Sequence, residues 1–126
     1  MYSVSVRTFF RASLLEYWDG RCAVTGVKEQ QLLMASHIKP WRDCATDVER
    51  LDVFNGLLLA AHLDKAFDAG LISFAGDGAI LFSDRFAIED RHVFGLNASM
   101  RLTRVAAGHI RQLSWHRARF GIGATS

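Results

Sequence analysis

Ser36-His37-Ile38-Lys39-Pro40-Trp41, Asn55-Gly56-Leu57-Leu58-Leu59 and His62-Leu63-Asp64-Lys65-Ala66-Phe67-Asp68 decide how this chain is read. The apolar run Leu32 to Ile38 predicts a buried strand that ends at a histidine, and Pro40 holds Lys39 extended just beyond it. Gly56 to Ala60 predicts a second buried strand. Ala61 to Ala69 then reads as a helix stopped by Gly70. On that helix Asp64 and Asp68 stand four residues apart, on one face, where two carboxylates can converge on a hard cation. Taken singly, each has a plainer reading: Asp64 as a surface acid paired with a base, Asp68 as a residue of the turn near Gly70.

Outward from this centre, Val6 to Trp18 places Phe9, Phe10, Leu14 and Tyr17 at helical spacing, and Gly20 ends that opening helix. Arg21 to Gly26 reads as a short extended piece and a turn. The segment Arg42 to Glu49 has no apolar period and is expected to be the longest loop. Leu71 to Phe74 and Ala79 to Phe82 flank Ala75-Gly76-Asp77-Gly78, which predicts a hairpin. Val105 to Phe120 predicts a closing helix. Phe67, Leu71, Trp115 and Phe120 are expected in the core, and Trp41 is better read as packing than as a base-stacking platform.

The 126 residues are half apolar and 22% charged, which suits one globular domain over residues 1–126 and argues against disorder. No apolar run is long enough to predict a membrane span. The amino end has no basic segment followed by an apolar stretch and a small-residue cleavage site, so a cytoplasmic protein with reduced thiols at Cys22 and Cys44 is expected. Without a CxxC pair a structural zinc knuckle has little support. A net charge of +2 does not announce nucleic acid. The segment carrying Arg101, Arg104, His109, Arg111, His116, Arg117 and Arg119 holds no acid, which fits either a basic patch or an ordinary solvated helix face.

Cys22-Ala23-Val24-Thr25-Gly26, Ser36 to Trp41, Asn55 to Leu59 and Asp64 to Ile72 together resemble the HNH endonucleases, in the bacterial restriction-type branch. The resemblance implies an α+β fold: a ββα-metal core of the HNH (His-Me finger) type with an added N-terminal helix, an extra β-hairpin and a C-terminal helix. It implies that His37 is the general base and that Asn55 pins the loop that aims it. Asp64 and Asp68, nine and thirteen residues after Asn55, match the family's metal-binding positions. Ser36 stands where several members carry a third ligand, so the implied shell is all oxygen and suits Mg2+ or Mn2+ better than Zn2+ or Ni2+. His62 is an auxiliary candidate, either for a softer ion or for phosphate. Lys39, Arg42, Lys65 and Arg117 are candidates for holding a nucleic-acid backbone.

The activity so implied is metal-dependent hydrolysis of DNA phosphodiesters, leaving 5′-phosphate and 3′-hydroxyl ends, in a restriction or defence setting. A non-cleaving nucleic-acid-binding module with a decayed site, and a nuclease for RNA or single strands, are the alternatives. A duplex cutter would gain from pairing two centres, which makes a homodimer one option.

Overall fold

The computed structural model describes residues 2–123, apart from the side chains of residues 2–5. Helix α1 (Tyr2–Tyr17) leads through a turn at 22–26 to strand β1 (Leu33–His37). After a helical turn at Trp41–Asp43 come α2 (Asp47–Leu51), a second such turn at Val53–Asn55, β2 (Gly56–Ala60) and α3 (Ala61–Asp68). The hairpin β3 (Ile72–Phe74) and β4 (Ile80–Phe82), then α4 (Ile88–Val93) and α5 (Ala107–Phe120), complete the order.

β1 and β2 pair antiparallel, with Leu33 opposite Ala60 and His37 opposite Gly56. Every residue of β2 is buried, as its unbroken Gly-Leu-Leu-Leu-Ala run demands of a strand covered on both sides. α1 covers one side. Its Phe10 and Leu14, one turn apart, lie over Gly56, where a Cβ would come within 2.6 Å of Phe10 Cζ and 2.9 Å of Leu14 Cδ2. α3 covers the other side, sending Leu63, Ala66 and Phe67 into the core. The helix must stop at Gly70, whose φ of +73° an L side chain rarely adopts and whose missing Cβ makes room for the Phe120 ring.

The turn at 22–26 is fixed by a thiol. Cys22 Sγ accepts the amides of Val24, Thr25 and Ala60 at 3.3–3.4 Å, which ties the turn to the end of β2. Both cysteines are free and buried.

Two expectations need correction. The segment 42–49 is not a plain loop. Thr46 accepts the Glu49 amide and starts α2, while the Glu49 carboxylate receives the Ala45 amide; this is the Thr-x-x-Glu pattern of a helix start, visible in Thr46-Asp47-Val48-Glu49. The carboxyl-terminal histidines add nothing to a basic face, because His109 and His116 are 0% and 2% exposed and burial holds each pKa down at about 4. Trp115 and Phe120 are half-buried. α4 was not anticipated. Among the described residues no helix is long and apolar enough to cross a membrane.

Candidate active site

Asn55 organises the site. It is fully buried, its Oδ1 accepts the Lys39 amide at 2.8 Å, and its Nδ2 lies 3.2 Å from the Lys39 carbonyl, 3.3 Å from that of Glu49 and 3.4 Å from Cys44 Sγ. Its own carbonyl accepts the Ile38 amide at 3.0 Å. One side chain therefore fixes the exit of β1, the 41–44 turn and α2 relative to one another, satisfying backbone groups that burial would otherwise leave unpaired.

His37 ends β1 and is half-buried. Its Nε2 lies 2.8 Å from the Arg50 carbonyl oxygen. A carbonyl only accepts, so the ring proton sits on Nε2 and the lone pair is left on Nδ1. Arg50 is itself strapped down, giving Nε to the Trp41 carbonyl at 3.0 Å, Nη2 to that of Cys44 at 3.1 Å and Nη1 to Asp47 at 2.9 Å. One face of the imidazole stacks on Phe10, with centroids 3.9 Å apart and planes 9° from parallel, and Trp41 meets the ring edge-on at 5.8 Å. Burial lowers the His37 pKa, the Arg50 carbonyl partly opposes this, and the charge of Arg7 pushes it down again. The ring is thus held neutral, in one tautomer and one orientation.

Ser36, one residue earlier, points to the opposite side of the strand. It faces Asp64 of α3, whose pKa is raised by burial and by the neighbouring Asp68 charge, against the pull of the Ser36 hydroxyl and of Lys65. The end of β1 thus has the imidazole on its α1 side and the first carboxylate on its α3 side. Asp68, one turn on, is exposed. Among the described residues no three His, Cys, Asp or Glu side chains gather as a ready-made metal cage. The donors present are two carboxylates with mutual repulsion and a hydroxyl; an oxygen set of this kind fits a hard divalent cation that completes its shell from substrate and water.

The remaining candidates separate. His62 sits against Phe94, with centroids 6.0 Å apart. Lys39 pairs with Glu49 at 3.5 Å and lies over the Trp115 ring. Arg117 gives Nη1 to the Phe74 carbonyl at 2.8 Å, holding the hairpin. Arg42 and Lys65 are exposed. Sequence reasoning missed Phe10, Arg7 and Arg50. The first two lie one turn apart on α1, Phe10 buried and Arg7 exposed, a spacing the sequence shows; Arg50 acts at His37 through its backbone, which no residue type announces.

Residues 22–75 match a family model described as HNH endonuclease. The similarity to HNH endonucleases extends over this segment of the chain. The matched segment runs from the Cys22 turn through β3 and contains His37, Asn55, Asp64 and Asp68, so the family's core coincides with the β1, β2 and α3 unit built above. HNH nucleases generally use a divalent metal ion and act on nucleic acid. Helices α1, α4 and α5 lie outside the matched segment, yet α1 supplies the ring that His37 rests on. No curated protein matches the chain significantly.

Proposed function

We propose that the protein is a metal-dependent endonuclease that hydrolyses DNA phosphodiesters, with His37 as general base and Asp64 and Asp68 as the protein ligands of a Mg2+ or Mn2+ ion. The observation that carries this reading is the 2.8 Å contact between His37 Nε2 and the Arg50 carbonyl, because it leaves Nδ1 as a fixed proton acceptor. In the reaction Nδ1 takes a proton from water as its oxygen attacks phosphorus. The bond from phosphorus to the 3′ oxygen breaks, giving a 5′-phosphate and a 3′-hydroxyl. Asn55 and Arg50 keep the acceptor aimed, and Phe10 removes water from one face of the ring. Asp64 and Asp68 would hold a divalent ion, which when bound would supply positive charge to offset the negative charge growing on the phosphate.

Supercoiled plasmid incubated with Mg2+ or Mn2+ tests this. Conversion to nicked or linear DNA is expected, lost in His37→Ala and in Asp68→Asn. A wild-type protein that cuts no DNA with either ion would overturn it.

A second reading is favoured by Ser36, which stands at a ligand position and is spent on Asp64. In that case the chain is a nucleic-acid-binding module without cleavage. It predicts salt-sensitive DNA binding that Asp64→Ala and Asp68→Ala leave unchanged, whereas a working metal site predicts binding that strengthens with Mn2+ in the wild type alone.

A further inference from the structure

We propose that Arg7 of α1 grips a backbone phosphate of the nucleic acid beside His37, so that a helix outside the family-matched segment forms one wall of the substrate site. This rests on the functional reading above and adds to it a residue that neither the HNH match nor the sequence motifs assign.

Three contacts place Arg7 there. It lies three residues before Phe10 on the same face of α1, and Phe10 carries the His37 ring at 3.9 Å. Its guanidinium carbon sits 4.6 Å from the Trp41 ring centroid, and Trp41 in turn meets the His37 ring edge-on at 5.8 Å. Its charge is close enough to act on His37. The four side chains form one layered group with the imidazole inside and the guanidinium at the surface.

Arg7 also differs from the other cations near the site. Lys39 is paired with Glu49 and Arg50 with Asp47, while Arg11 gives both terminal nitrogens to the carbonyls of Leu33 and Gln30. Arg7 is exposed, and no carboxylate among the described residues pairs with it. Stacking on an indole leaves the edge of the guanidinium free, the edge whose paired N–H groups match phosphate oxygens. A cation without a carboxylate partner beside a base that must gain a proton opposes that gain unless an anion joins it. Beside the scissile region of a polyanion it both attracts substrate and keeps the base neutral.

Binding of a short DNA duplex, measured across a salt series in the presence of a chelator so that nothing is cut, tests the assignment. Arg7→Gln is expected to weaken binding by about three- to tenfold and to lower the slope of log Kd against log salt by about one. Arg7→Lys should keep the slope and recover part of the affinity. Arg101→Gln, which removes an exposed charge tied to the β3 to β4 turn through the Asp77 carbonyl, should leave the slope unchanged; an equal loss there would show general charge attraction and overturn the assignment. If Arg7→Gln binds with wild-type affinity and slope, Arg7 is not a phosphate ligand, and the nuclease reading stands. If the wild-type protein binds no duplex at all, the functional reading falls and Arg7 with it.

Discussion

Asn55 holds Lys39 by both of its backbone groups, the amide at 2.8 Å and the carbonyl at 3.2 Å, from a position with no solvent exposure. His37 lies two residues before Lys39, so this clamp fixes the chain just past the end of β1, beyond the pairing of His37 with Gly56. The amide is unusual in serving the exit of β1, the 41–44 turn and α2 together, and removing it frees all three.

Asn55→Ala should therefore cost stability as well as activity. It leaves the part-buried Lys39 amide without its partner and takes one donor each from the Lys39 and Glu49 carbonyls, a loss on the order of 2–4 kcal/mol. Urea unfolding is expected to show a lower midpoint with the slope preserved, and plasmid nicking should fall further than the unfolded fraction explains. A variant as stable as the wild type would show that the clamp is dispensable.

Burial and the Asp68 charge raise the pKa of Asp64, so its ionised form costs more in the folded protein than in water, and a bound cation would offset that cost. Mn2+ should accordingly raise the melting temperature of the wild type, by the equivalent of about 1.4 kcal/mol when the free ion is at tenfold its Kd. Asp64→Asn and Asp68→Asn should lose that rise without unfolding in metal-free buffer. A wild-type melting temperature indifferent to Mn2+, Mg2+ and Zn2+ would remove the case for a metal site here.

Much of this was legible before the coordinates, for identifiable reasons. The buried run of β2, the carboxylate pair on α3, the stop at Gly70 and the hairpin turn are local signals, each carried by residue type and spacing. α2 was just as local, in Thr46 and Glu49, and was passed over because its segment has no apolar period. The walls of the site were not local. Phe10 reaches His37 across the fold, and Arg50 serves it through a carbonyl oxygen that every residue possesses. The burial of His109 and His116 was equally hidden, since histidine spacing on a basic segment does not say which side of α5 faces inward.

Those two histidines predict an acid-sensitive fold. His116 gives its Nε2 proton to the Phe67 carbonyl at 3.0 Å and accepts from Ser73 at 2.9 Å through Nδ1, while His109 Nδ1 accepts the Ala106 amide at 2.9 Å. A proton added at His109 Nδ1 breaks its bond to the Ala106 amide, and one added at His116 Nδ1 places a charge in a dry site even if the Ser73 hydroxyl turns to accept it. Each folded pKa is about 4, against roughly 6.5 in the unfolded chain. The native state thus binds fewer protons, and the stability present above about pH 6.5 is lost as pH falls towards 4. At pH 5 the loss is about 2 kcal/mol for each histidine. Glu49, whose pKa is lowered by its bonds to Ala45 and Gln112, adds its own loss only below the ordinary carboxylate range. A urea midpoint that stays level between pH 7 and pH 5 would show that neither ring is buried neutral.

Gly56 offers the sharpest test of how α1 meets the β1 and β2 hairpin. Its φ of −148° is ordinary extended backbone, so Ala there is not strained in itself; the cost comes from what a methyl group would strike. The nearest atoms, Phe10 Cζ at 2.6 Å and Leu14 Cδ2 at 2.9 Å, belong to side chains 2% and 0% exposed, with no open space to retreat into. Gly56→Ala should destabilise the fold by about 1–3 kcal/mol, as overpacking does. It should also lower nicking activity, because Phe10 cannot move without leaving the His37 ring. Shortening the obstacle separates the two effects. In Gly56→Ala with Phe10→Leu the urea midpoint is expected to recover in part, while activity stays low because the aromatic face under the imidazole is gone. If the double variant is no more stable than Gly56→Ala alone, the clash with Phe10 is not what makes glycine necessary opposite His37.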